Sequence, residues 1–263
     1  MERARRTNLV LAVVALALGG IAWWQVEHEI DAREPPLASI DVASIERIRV
    51  TCSGCAPREF ARTASGWRML VPYALDADDS VIARLLDVAA SPVRRREDAA
   101  GVDLARIGLD PPAMTLELDD TRIDVGTTDA LRGDRFVRVD GRIARVPDRF
   151  SPFLMATPES ELDRHLVPRG SVVARWHIDG IDQPSDTAFW QDARASKITP
   201  VDASARAEGA LRDVVVDFAD GSSIAWTLRR VGAGWIARRT SPALDYHLTA
   251  DVAARFVEPA PIR

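Results

Sequence analysis

Cys52 and Cys55 stand three apart in Cys52-Ser53-Gly54-Cys55, and they are the only cysteines of the chain. That spacing admits three chemistries. A stapled turn brings the Cα atoms of positions i and i+3 within about 7 Å, which overlaps the range a disulfide spans. A redox dithiol, with Cys52 attacking and Cys55 resolving, needs a helix N-terminus to lower the thiol pKa. Pro57 followed by Glu59 and Phe60 offers such a start, but Thr63-Ala64-Ser65-Gly66 ends it after about two turns. A metal site needs four ligands for zinc, and neither a second Cys pair nor a His-x-x-x-His run completes the set. In the staple reading Ile45–Cys52 is a strand, Ser53-Gly54 is the turn, and a return strand carries Phe60.

Other chemistry finds little footing. His28, His165, His177 and His247 are widely spaced, so a site using them has to be assembled by the fold. There is no G-x-S-x-G elbow and no phosphate-cradling glycine loop. Asp76-x-Asp78-Asp79 lacks the glycine and the distant glutamate of a calcium loop and reads as helix capping. No catalytic, metal or cofactor-binding residue is expected, and a non-enzyme is favoured. Net charge is -5 with both signs interspersed, so no basic face for nucleic acid is expected. Lys197 is the only lysine, and Arg94-Arg95-Arg96 is the one dense basic cluster. It reads as cations at the end of a predicted helix.

The strongest positional signal is N-terminal. Arg3, Arg5 and Arg6 precede an apolar run containing Leu9, Val10, Leu11, Val13, Val14, Leu16, Leu18 and Ile21, closed by Trp23-Trp24. A basic flank, an apolar stretch and interfacial tryptophans are the parts of a membrane-inserted helix with its arginines on the cytoplasmic side. Leu9–Trp24 reaches roughly 24 Å at about 1.5 Å per residue, against about 30 Å of hydrocarbon, and Thr7, Asn8, Gln25 and Val26 extend it. The rival is a cleaved signal peptide, with sites at Ala17-Leu18-Gly19 or Gly20-Ile21-Ala22. Residues 1–26 are therefore expected to be a cytoplasmic tip and single-pass anchor in a bacterial inner membrane. Residues 27–36, ending in Pro35-Pro36, form a spacer, and the rest is periplasmic. The anchor makes membrane lipid a partner.

Behind the anchor, hydrophobic content of 47% and charged content of 28% are globular. An α+β architecture is expected, a mainly antiparallel sheet with few helices. Trp67–Val71 is a strand, and Asp78-Asp79-Ser80 caps a helix carrying Val81, Ile82, Leu85, Leu86 and Val88. Met114–Leu118, Arg122–Val125, Arg135–Val139 and Arg142–Val146 are strands, the last two joined by Asp140-Gly141. Residues 150–162 are mixed and partly helical. A second β-rich block, 167–263, follows the first, 37–166. It has strands at Ser171–Ile178, Val214–Phe218, Ser223–Arg229 and Trp235–Arg239 and a closing helix at Thr249–Val257. Gln183–Gly209 reads as loop with a short helix. The two blocks share a rhythm that fits either a degenerate internal repeat or two unrelated meanders.

Several segments carry a resemblance. Ser65-Gly66-Trp67-Arg68 precedes Pro72; Asp78 precedes Leu85-Leu86. Ile107-Gly108-Leu109-Asp110-Pro111-Pro112 follows, then Gly126 and Gly133-Asp134-Arg135-Phe136-Val137-Arg138-Val139. This set, over about 37–166, resembles the bacterial family called domain of unknown function 4340, with Phe136 where Tyr is more usual. The resemblance implies a single-anchor envelope protein. It is similar in setting to auxiliary proteins of ABC transporters, which implies a membrane-complex protein as partner. Read from the residues themselves, Trp67, Pro72, Leu85, Leu86, Gly108, Leu109, Pro111, Gly126 and Phe136 are structural. The expectation is a non-enzymatic envelope accessory or binding protein. The alternatives are a periplasmic thiol-disulfide oxidoreductase using Cys52 and Cys55, and a binder of an envelope glycan or lipid.

Overall fold

Alternating apolar residues, short Asp-Gly turns and scarce helical periodicity dictate sheets, and two antiparallel sheets form. The computed structural model describes residues 18–19, 35–130, 132–184, 186–202 and 208–257. The anchor residues Leu9, Val10, Leu11, Val13, Val14, Leu16, Ile21, Trp23 and Trp24, the flank Arg3, Arg5 and Arg6, and His28 lie outside them. Leu18 is described, helical and exposed. Among the described residues no helix is long and apolar enough to cross a membrane.

The first sheet begins with β1 (Arg47–Cys52), β2 (Arg58–Thr63), β3 (Gly66–Val71) and β4 (Leu75–Asp76). Helix α1 (Asp79–Leu86) then leads to β5 (Arg95–Asp98). Four strands complete it: β6 (Met114–Leu118), β7 (Thr121–Thr128), β8 (Asp134–Val139) and β9 (Arg142–Pro147). The order is β4-β3-β2-β1-β6-β7-β8-β9-β5. After helix α2 (Ser151–Leu154) and a 3-10 turn (Pro158–Glu161), the second sheet opens with β10 (Val173–Ile178) and β11 (Ile181–Asp182). Helix α3 (Thr187–Asp192) leads to β12 (Ala195–Pro200). Then come β13 (Glu208–Phe218), β14 (Ser223–Val231), β15 (Gly234–Thr240), β16 (Ala243–Leu248) and helix α4 (Ala250–Val257). This order is β11-β10-β13-β14-β15-β16-β12.

The two orders have the same connectivity once β3 and β4 are set aside. Each sheet starts with a hairpin (β1-β2, β10-β11) and sends the chain through a helix to the far edge strand (β5, β12). It then returns beside the first strand and meanders outward (β6 to β9, β13 to β16). The period-2 pattern sets the faces. Ile48, Val50, Phe60, Leu116, Leu118, Ile123, Val125, Val137 and Val139 are buried. Their neighbours Arg49, Glu59, Glu117 and Arg122 pair across the outer face. Helix α1 is capped by Asp78, which accepts from Ser80 N, and buries Ile82, Leu85 and Leu86.

Several expectations need correction. Arg94-Arg95-Arg96 does not end a helix: α1 stops at Leu86, and Arg95 and Arg96 lie in β5. Arg94 pairs with Asp134 at 3.1 Å, and Arg96 donates to Pro36 O and Leu37 O. Pro35 and Pro36, read as spacer, are docked: Val93 N donates to Pro35 O, and Pro36 bridges Pro92. The stretch read as loop at 183–209 contains β12, and Ala243–Leu248 forms the further strand β16.

Candidate functional site

The cysteine pair closes the first hairpin. Cys52 ends β1 opposite Met114, and Gly54 supplies a φ of +86° in the turn. Cys55 is disulfide-bonded to Cys52 across a Cα separation of 5.5 Å. Beyond it the chain enters β2 at Arg58, where the redox reading requires a helix start. The register Ile48↔Phe60 places Phe60 on the return strand.

The histidines stay apart. His177 faces Val215 in the ladder and is part-exposed. His247 lies 3.1 Å from the Thr199 hydroxyl, and burial holds its pKa below the usual value. His165 belongs to the inter-sheet network described below. Among the described residues no group of three or more His, Cys, Asp or Glu is arranged to hold a metal ion. The Asp76, Asp78 and Asp79 carboxylates diverge: Asp78 caps α1, Asp79 accepts from Trp67 N, and Asp76 accepts from Arg68 and Arg169 N.

Of the residues of the family pattern, Gly108, Leu109 and Gly126 meet where the loop before β6 lies against β7. Gly108, at φ +67°, lets the loop before β6 lie against β7, where Thr127 N donates to Ile107 O at 2.8 Å. A Cβ on Gly126 would sit 2.2 Å from Ile107 O and 3.0 Å from Leu109 Cγ. Leu109 is fully buried, and Pro111 follows it in the loop. Trp67, Leu85 and Leu86 are in the core, and Pro72 follows β3. Phe136 is half-buried, with the Arg145 guanidinium 5.3 Å from its ring centroid.

Sequence reasoning missed the feature that joins the two sheets. The segment 161–166 is bonded on both sides. Asp78 N donates to Glu161 O, Asp163 N to Asp76 O, and Leu162 bridges Ala77. On the other flank Ala195 N donates to Arg164 O, Leu166 N to Ala193 O, and His165 bridges Arg194. This strap thus connects the β4 end of one sheet to the β12 edge of the other. Arg169, just beyond it, donates to Asp79 Oδ2 (2.8 Å), Asp163 Oδ2 (3.2 Å), Ser65 O and Ala77 O. Burial lowers the Arg169 pKa, but Asp79 and Asp163 outweigh it and hold it above the usual value. Asp163 also accepts from His165 Nδ1 (2.6 Å), and Arg194 Nε donates to His165 Nε2 (2.7 Å).

A second polar cluster lies under the strap. Arg58 and Glu161, both side chains at 0% exposure, meet at 2.7 Å. Arg58 also donates to Phe153 O and Leu154 O, so β2 is tied to α2. Burial pushes Glu161 up to about 7 despite Arg58. Nearby the Tyr73 hydroxyl donates to Glu159, and burial, reinforced by that carboxylate, lifts the phenol to about 12. Arg58 and Glu161 are 103 positions apart, so no local spacing signals their pairing.

Clefts flank the strap. One, of about 340 Å³, is walled by Val167, Pro168, Val172, Val173 and Trp190, with His165 and Arg169 beside it and Thr187 and Gln191 at its lip. Another, of about 80 Å³, is polar and bounded by Arg68, Asp76, Asp163, His165, Arg239 and Tyr246. A third, of about 340 Å³, holds Asp78, Arg84, Glu159, Arg164 and Lys197. This strap and the clefts beside it form the candidate site.

These observations define a protein of two antiparallel sheets joined by a shared strap, with Trp67, Leu85, Leu86 and Leu109 buried. Residues 67–214 match the family described as a domain of unknown function (DUF4340), more than half of the chain, which belongs to that family. The match begins at Trp67 and runs past the strap into β13, beyond the 37–166 extent read from the motifs. No curated protein and no solved structure matches the chain.

Proposed function

We propose that this chain is a non-enzymatic accessory protein, held at the outer face of a bacterial inner membrane by an uncleaved N-terminal anchor. There its two-sheet body serves a membrane complex of the ABC-transporter type. The observation that carries the reading is the Cys52–Cys55 staple behind a basic-apolar-tryptophan leader. A structural disulfide suits an oxidising compartment, and the leader supplies the attachment. The burial of Trp67, Leu85, Leu86 and Leu109 and the close approach at Gly108 and Gly126 support a scaffold. So do the inter-sheet bonds of Arg169, which bind charged side chains to structure. The shared connectivity of the sheets supports a degenerate internal repeat. Against the oxidoreductase reading stands the strand at Arg58, which deprives Cys52 of the helix N-terminus that activates such thiols.

The placement is tested by carbonate extraction of membranes and protease treatment of intact spheroplasts. The expected result is a chain that stays in the membrane pellet while its two-sheet body is cleaved from outside. A chain released by carbonate, or one shielded until the spheroplasts are lysed, would overturn the reading.

A further inference from the structure

We propose that the start of β10 accepts an extended segment of a partner protein as an added strand, seating one apolar side chain of that segment in the cleft beside α3. The first observation is topological. In the connectivity that the sheets share, β11 stands where β2 stands in the first sheet. Strand β2 covers β1 from Arg47↔Ala61 to Val50↔Arg58. Strand β11 covers β10 only at His177↔Asp182 and Ile178↔Ile181, and Gln183 N then donates to Trp176 O. Pro184 follows and has no N–H with which to continue the ladder. Its carbonyl accepts from the Trp176 indole at 2.9 Å, and the chain turns into α3 at Thr187. Among the described residues, the backbone of residues 173–175 is bonded to β13 alone. A strand edge with unpaired N–H and C=O groups is a template for strand addition.

The second observation is what lies beside that edge. Val172 and Val173 wall a cleft of about 340 Å³ on one side, and Thr187, Trp190 and Gln191 of α3 wall it on another. Val173 pairs with the buried Phe218, so both face the core. A residue added opposite Val173 on its free flank shares that face. In the first sheet Phe60 of β2 takes this place beside Ile48 and is 1% exposed. The backbone ladder thus names an extended chain as occupant, and the cleft asks it for one apolar side chain. Edge strands are commonly blunted by charge. Here Val172 is 61% exposed and Ala174 is exposed, while Arg175 is engaged by Asp217 of β13 at 3.0 Å. The lining holds His165 and Arg169 and no carboxylate, so the segment is neutral or acidic. The inference does not rest on the accessory role.

The probe is a fluorescein-labelled peptide, Ser-Glu-Thr-Phe-Thr-Glu-Ser, titrated by fluorescence anisotropy with the full-length chain in lipid nanodiscs, and with empty nanodiscs as the blank. It is expected to bind above the blank. Two derivatives carry N-methyl groups on alternate nitrogens, one series for each edge of the extended peptide. One series should weaken binding about tenfold and the other leave it within about twofold, because only one edge pairs with β10. Thr187→Trp, at an exposed position on the cleft wall, should weaken the parent peptide about tenfold without touching the core. No binding above the blank overturns the proposal. So does an equal loss from both methylated series, which marks contact without a strand ladder. Full binding by Thr187→Trp places the peptide elsewhere and overturns it too. A chain that self-associates in detergent, and that Thr187→Trp makes monomeric while the peptide fails to bind, would make the occupant a second copy and overturn the partner assignment.

Discussion

Arg169 donates to Asp79 Oδ2 at 2.8 Å, joining the entry to the second sheet to the first turn of a helix 90 residues earlier. The same guanidinium holds Asp163 of the strap and two backbone carbonyls. The contact is close: a Cβ on Gly66 would stand 1.9 Å from Arg169 Nη1. One side chain therefore clamps β3, α1 and the strap.

Replacing that clamp should be felt at once. Arg169→Met keeps much of the stem and removes the charged hydrogen bonds, and is expected to lower unfolding free energy by about 2–3 kcal/mol. Arg169→Lys should recover only part, because an ammonium cannot reproduce the planar fork. Urea denaturation of the three proteins checks both. Equal midpoints for Met and wild type would mean the network is incidental.

Gly126→Ala tests the family pattern as packing. The new methyl meets Ile107 O and Leu109, so the loop at Gly108 must shift away from β7. A loss of about 1–3 kcal/mol is expected, with increased amide exchange at Thr127, whose N–H bonds to Ile107 O. Unchanged exchange at Thr127 would contradict the packing role.

Glu161 makes stability depend on pH in a defined direction. Its folded pKa, about 7, lies above the ordinary carboxyl value of 4.5. The folded state therefore holds the proton more tightly, and the stability from that proton is complete below about pH 4.5 and lost as pH rises through about 7. Glu161→Gln mimics the protonated form, so its stability advantage over wild type should grow across this window by on the order of 3 kcal/mol at most. Parallel stability curves for the two proteins would remove the claim. Asp124 behaves oppositely. Burial raises its pKa, but Arg138, Arg122 and Thr115 donate to it and hold it below the usual range. Its contribution disappears as pH falls through that lowered value.

Cys52→Ser should cost about 2 kcal/mol on the chain-entropy estimate for so short a loop. Stability should drop by the same amount when wild type is reduced, leaving the reduced wild type and the variant alike. A much larger loss would show that the hairpin depends on the cystine for folding.

Much of this fold was legible because its signals are local. Ile45–Val50, Met114–Leu118 and Arg142–Val146 alternate, Asp140-Gly141 makes a hairpin, and Asp78 announces α1. Strand β5, Arg-Arg-Glu-Asp, was illegible because an edge strand of charged residues has no apolar period. In β12 only Ala195 and Ile198 are buried, too sparse a pattern to read. Leu244, Tyr246 and Leu248 alternate in β16, though Asp245 between them is buried as well. The strap and its ion pairs had no sequence signature, since Arg58 pairs with Glu161 across 103 positions and Arg169 with Asp79 across 90.

The most direct test of the accessory role is co-purification. Full-length wild type and Cys55→Ser are retrieved from membranes in mild detergent, and the bound proteins are identified by mass spectrometry. The expected result is the same set of transporter or other membrane-complex subunits with both proteins. Capture by Cys55→Ser of many chains released by reductant, with no common membrane complex, would contradict the account and make the protein an oxidoreductase.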